Sequence, residues 1–207
     1  MPKIVDFERS PYGRNPRVAP LISGRGARSY YRVGYLDTAR DTASALRKRD
    51  GTNASAMPVL YLFRHYVELA LKDILAAGGA FAIDFADKKF GHDLAALWNE
   101  VGKVLDNFRF EATADQHSAI NELVELDARA DAFRYALDRA EQQQFERIGS
   151  VDLDALLTAI DDLSMFFEGV LDKLDLTLVL FPLDSECNWM LDRAVHPGAC
   201  MVSSGVS

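Results

Sequence analysis

Residues 57–98 decide the fold: MPVLYLFRHYVELALKDILAAGG (57–79), a short acidic and aromatic linker AFAIDFADKKF (80–90), then GHDLAALW (91–98). Wound at 100° per residue, Tyr61, Arg64, His65, Glu68 and Lys72 share an arc of about 100°. The rest of the circumference is nearly all apolar: Leu60, Leu62, Phe63, Tyr66, Val67, Leu69, Ala70, Leu71, Ile74 and Leu75. A helix apolar on most sides is buried, and the polar groups it keeps must be satisfied or used. All five polar side chains are therefore expected to turn toward the middle of a packed bundle.

Outward from this helix the chain is helical in pattern. Pro58 suits a first turn, Ser55 a cap, and Gly78-Gly79 a stop. Before it, Val33, Leu36, Ala39, Ala43 and Leu46 form the stripe of a helix over Val33–Arg49, which Gly51 ends. Beyond it, Gly91-His92-Asp93 opens a helix to Asn107, with Asp93 complementing the helix dipole. A fourth helix starts near Ala114, carries Ile120, Leu123, Val124 and Leu126, and continues or re-forms through Phe133, Tyr135 and Leu137. A fifth spans Val151–Leu174. Its opposite face is acidic (Asp152, Asp154, Asp161, Asp162, Glu168, Asp172, Asp175) and reads as solvated. Leu176–Phe181 (LTLVLF) leans toward β structure, although a lone strand would need a partner.

The expected fold is all-α, an antiparallel bundle of about five helices in one domain, residues 33–175. Residues 1–32 hold four of the seven prolines and read as an extended, irregular arm; residues 176–207 read as a partly disordered extension. The net charge of −8 is unevenly spread: residues 1–32 carry +5 and the remainder −13. The arginines of the arm, Arg14, Arg17, Arg25, Arg28 and Arg32, suit either a nucleic-acid backbone or the chain's own acidic body.

Cys187 and Cys200 have no metal-ligand or disulfide spacing and fit a reducing cytoplasm. No apolar run approaches the roughly 20 residues of a membrane span, and the N-terminus lacks the apolar core of a signal peptide. Walker, GxGxxG, GxSxG and HExxH motifs are absent. No cofactor or metal is expected.

Four stretches in order, RHYVELALKDIL (64–75), GHDLAALW (91–98), DARADAFRYALD (127–138) and VDLDALLTAIDDLSMFFEGVLDKL (151–174), resemble the HEPN superfamily. The likeness is to its stand-alone bacterial members of undefined function. It implies an all-α bundle that dimerises through its helices, and a setting in toxin–antitoxin, antiviral or stress systems. Many relatives are metal-independent ribonucleases; others are inactive binding or scaffolding versions, or regulatory partners of a nucleotidyltransferase.

The chain departs from the ribonuclease pattern, which places His after Arg with four to six residues between them. His65 follows Arg64 directly, His92 has no arginine upstream nearer than Arg64, His117 comes seven intervening residues after Arg109, and His196 two after Arg193. At the nearest echo, Arg129 to Arg134, an arginine stands where histidine would be, and arginine cannot serve as a base. Two readings of the site follow. In a rearranged ribonuclease, His65 is the base, His92 the acid, and Arg64, Lys72 or Arg134 the cation that steadies charge on phosphorus. In a structural seam, Arg64–Glu68 and Glu68–Lys72 pair at i,i+4, His65 donates to a carboxylate or carbonyl, and His92 caps the third helix or bonds across to the second. Tyr61 and Tyr135 border the same polar cluster. The first function expected is dimerisation with RNA or protein binding; ribonuclease activity and nucleotidyltransferase regulation are the alternatives.

Overall fold

A computed structural model of the chain describes residues 27–49, 56–81, 83, 91–127 and 150–180. They form five α-helices: α1 (Ala27–Arg47), α2 (Ala56–Gly79), α3 (Leu94–Phe108), α4 (Ala114–Asp127) and α5 (Leu153–Leu180). No strand occurs among the described residues, so the all-α expectation holds.

α2 is the centre, touching α1, α3 and α5, while α4 joins α3 to α5 on the far side. Val59, Phe63, Tyr66, Val67, Ala70, Leu71 and Ile74 are almost wholly enclosed. They meet Ala39 and Ala43 of α1, Leu97 and Val101 of α3, and Ile160, Leu163 and Phe167 of α5 in one core. Trp98 binds this core to its neighbours, with ring centroids 6.4 Å from Phe167 and 5.3 Å from His117.

The helix ends are set by local chemistry. Asp93 is the N-cap of α3, its carboxylate accepting from Ala96 N at 3.0 Å. Thr113 and Gln116 form a reciprocal capping box on α4: Gln116 N donates to Thr113 Oγ1 at 3.2 Å, and Thr113 N to Gln116 Oε1 at 2.9 Å. Asp152 caps α5 by accepting from the amides of Asp154 and Ala155.

Three sequence expectations are corrected. The first helix begins at Ala27, not Val33, so Arg28 and Arg32 are helical residues rather than part of an extended arm. Leu176–Leu180 are the last turns of α5, not a strand. Extending a formed helix adds a hydrogen bond per residue, whereas an isolated strand has no partner, and Leu176, Leu178 and Leu180 suit a helix. The acidic face of α5 is not simply solvated. Asp154, Asp161 and Glu168, seven residues apart, accept from Arg47 (2.9 Å), Arg40 (2.8 Å) and Arg32 of α1. The pairs run in opposite chain directions, so the ladder fixes α1 and α5 antiparallel and in register. Phe133, Arg134, Tyr135 and Leu137 lie outside the described residues, as do Arg14, Arg17 and Arg25.

α3 ends on Arg109 in the left-handed conformation, φ 57° and ψ 42°, with the Phe110 amide donating to Leu105 O at 2.8 Å. Glycine normally fills this position because a Cβ is strained there. Arg109→Gly is therefore expected to stabilise the chain by about 0.5–1 kcal/mol, read as a rise in the midpoint of urea unfolding at unchanged slope.

Candidate polar site at the junction of the second and third helices

The polar arc of α2 divides between two neighbours. One edge faces the turn that opens α3. There Glu68, with 1% of its side chain exposed, is bound on both oxygens. Arg64 Nη1 donates to Oε2, while Lys72 Nζ and His92 Nδ1 meet Oε1 at 2.7 Å and 2.8 Å. Arg64 is fully enclosed, and its Nη2 donates to the His92 carbonyl at 2.6 Å. One arginine thus ties a buried carboxylate to the backbone of the turn before Asp93, where Gly91 takes a positive φ of 55°.

Burial pushes the Glu68 carboxyl upward. The hydrogen bonds and charges of Lys72 and Arg64 outweigh it and hold the group down at about 2. Glu68 is therefore a permanent anion at neutral pH. With its Nδ1 at an anionic oxygen, His92 is expected to carry its proton there, and its ring is 63% exposed.

The other edge of the arc faces α1. His65 packs edge-on to Tyr35, centroids 4.4 Å apart, and stacks on Tyr61 at 5.9 Å and 8°. Burial lowers its pKa, with Arg64, Lys72 and His92 acting in the same direction and Glu68 against them. His65 hydrogen-bonds to no carboxylate or carbonyl among the described residues, contrary to the expected donation. Its ring is neutral at pH 7 and is held by other rings. The expectation that all five side chains turn the same way is corrected accordingly: Arg64 and Glu68 turn to the α3 junction, His65 and Tyr61 to α1, and Lys72 stands at the rim.

The structure thus brings together Arg64, Glu68, Lys72 and His92, and separately Tyr35, Tyr61 and His65. Arg134 and Tyr135 are outside the described residues. Of the arm arginines, Arg28 pairs with Asp73 at 3.3 Å, and Arg32, which is buried, pairs with Asp73 at 3.1 Å and with Glu168. Both engage the chain's own carboxylates. The Tyr66 hydroxyl near this second cluster is buried, and burial followed by the charge of Glu168 raises its pKa.

A cleft of about 1100 Å³ opens elsewhere, between α2, α4 and the first half of α5. Among the described residues Leu60, Phe63, Leu123 and Leu156 line it, with Asp115, Glu122 and Asp162 among its acidic groups and no Lys or Arg. None of the sequence-predicted site residues that are described lines it. Among the described residues no group of His, Cys, Asp and Glu suits a metal ion, and no helix is long and apolar enough to cross a membrane. Comparison with family models, curated proteins and solved structures finds no match to this chain.

Removing one partner of an enclosed ion pair strands the other. Glu68→Ala is expected to cost about 3–5 kcal/mol, measured by chemical denaturation. The pH dependence has a fixed sign, because the folded-state pKa lies below the ordinary glutamate value. The contribution of Glu68 is complete above pH 4.5 and is lost as the pH falls from there through about 2. A wild-type chain losing stability across that window, beside a Glu68→Gln chain with a shallower loss there, would fit this assignment.

Proposed function

We propose that this chain works by binding, as a non-catalytic HEPN-like bundle that dimerises and engages RNA or a protein partner in bacterial defence or stress response. The observation that carries the reading is the enclosure of Arg64. Its guanidinium is shut inside the bundle, bonded to Glu68 and to the His92 carbonyl. A cation that steadies a transition state must reach the phosphate, and this one would have to leave its buried anion to do so. His65 is no better placed as a base, since it packs against two tyrosine rings and no carboxylate among the described residues bonds to it and orients it. Arg64 is a fastener of the α2–α3 junction.

One arrangement favours the ribonuclease alternative: His92, exposed and oriented by an ionised carboxylate, has the geometry of a general base. Its partner cation would be Lys72, which is already shared with Glu68. No observation here favours the nucleotidyltransferase partnership over either reading.

Incubation with structured and unstructured RNA in EDTA separates the two. The binding reading predicts intact RNA, and the same result for His65→Ala and His92→Ala. Cleavage that His92→Ala abolishes at unchanged melting temperature would overturn it.

A further inference from the structure

We infer that the acidic cleft between α2, α4 and α5 is the docking site of the chain's own basic arm, residues 1–26. This docking goes beyond the binding reading and can fail without it.

The cleft carries charge of one sign. Asp115, Glu122, Glu125, Asp152, Asp161 and Asp162 line it, and among the described residues no Lys or Arg does. Three of these acids are engaged: Asp161 pairs with Arg40, Asp162 accepts from Gln116 Nε2 at 3.3 Å, and Asp152 caps α5. The other three stand at exposed positions of α4. Among the described residues Asp115 and Glu125 meet no cation, and Glu122 has only the Ser118 hydroxyl, at 3.4 Å. Carboxylates gathered this way favour a cation between them. The wall among them is apolar, with Leu123, Leu126, Leu156 and an exposed Met165. Such a cleft suits a peptide segment that carries both arginines and apolar side chains.

Of the stretches outside the described residues, only 1–26 is net positive. It carries Lys3, Arg9, Arg14, Arg17 and Arg25 against Asp6 and Glu8, a net +3, with Phe7, Tyr12, Val18 and Leu21 set between the cations. Residues 128–149 balance four arginines with four acids, residues 84–90 are likewise neutral, and residues 50–55 and 181–207 are negative. The two arginines that follow the arm already turn to the chain's own acids: Arg28 binds Asp73, and Arg32 binds Asp73 and Glu168. Arg32 also fixes where the arm departs, since Glu168 is three residues along α5 from Met165 on the cleft wall. The cleft follows α5 from Asp152 to Met165, about 20 Å, the length of about six extended residues. From Ala27 back to Arg17 the chain can extend over about 33 Å. That is enough to round a helix about 11 Å across and set Arg17 and Arg14 among the α4 carboxylates. The cleft is then self-occupied. A basic segment from outside gains it only by displacing the arm, and Arg14 and Arg17 reach an RNA backbone only once released.

The test uses the full, isotope-labelled chain with Cys187→Ser, Cys200→Ser and Asn15→Cys, and a nitroxide attached at position 15. At low salt the amide NMR signals of Ser118, Glu122, Ala155 and Thr158 are expected to lose most of their intensity beside the spin label. They are expected to regain it at about 1 M salt, where the screening length falls to about 3 Å. Glu122→Lys combined with Glu125→Lys, both at exposed positions, is expected to restore the signals at unchanged melting temperature. Unaffected α4 signals, or a loss that survives either the salt or the charge reversal, overturns the docking. So does a loss seen only when the isotope-labelled chain is mixed with a separate spin-labelled one, which assigns the arm to the cleft of a second copy. RNA binding is measured apart from all of these, so the binding reading stands or falls on its own.

Discussion

A carboxylate enclosed in an apolar bundle is the constraint on which this structure turns. Glu68 cannot stay ionised where it lies without cations and donors of its own, since an uncompensated buried charge costs several kcal/mol. It finds one a turn behind it, one a turn ahead, and a third across the bundle. The spacing of the helix supplies the first two, Arg64 and Lys72 at i−4 and i+4. The third, His92, arrives only because the chain reverses after Gly78-Gly79 and returns at Gly91, and the second nitrogen of Arg64 holds that return by its backbone. The α2–α3 junction is therefore organised by charge satisfaction rather than by apolar contact alone.

The same economy runs along the opposite side of α2. Arginines of α1 meet acids of α5 at heptad intervals, and Arg32 is buried between Asp73 and Glu168. The exposed rungs of that ladder, Arg40–Asp161 and Arg47–Asp154, contribute little energy each and chiefly set register. A chain with a strong acidic excess thus spends many of its arginines internally.

Much of this was legible in the residues. The apolar girth of α2 and its Pro58 and Gly78-Gly79 boundaries identified the central helix, and the Arg64–Glu68–Lys72 spacing identified the pairing. His92 bonding across to the second helix was one of two roles its position allowed. The split of the polar arc was not legible: a helical projection tells the angle of His65 but not that α1 would bring Tyr35 against it. LTLVLF misled because its local β preference says nothing of the helix already running into it. Two signals were present and unread. Thr113-Ala114-Asp115-Gln116 is a capping-box sequence, and Asp154, Asp161 and Glu168 recur at seven residues opposite a run of α1 arginines.

The central claim, that Glu68 is a buried anion held by three partners, is tested most directly by NMR. With the chain labelled at glutamate side-chain carbons, the Glu68 carboxyl shift is followed from pH 7 downward while the fold persists. The account predicts an ionised signal through the range in which exposed glutamates titrate, with protonation only near pH 2. A Glu68 midpoint near 4.5, in step with the exposed glutamates, would contradict it.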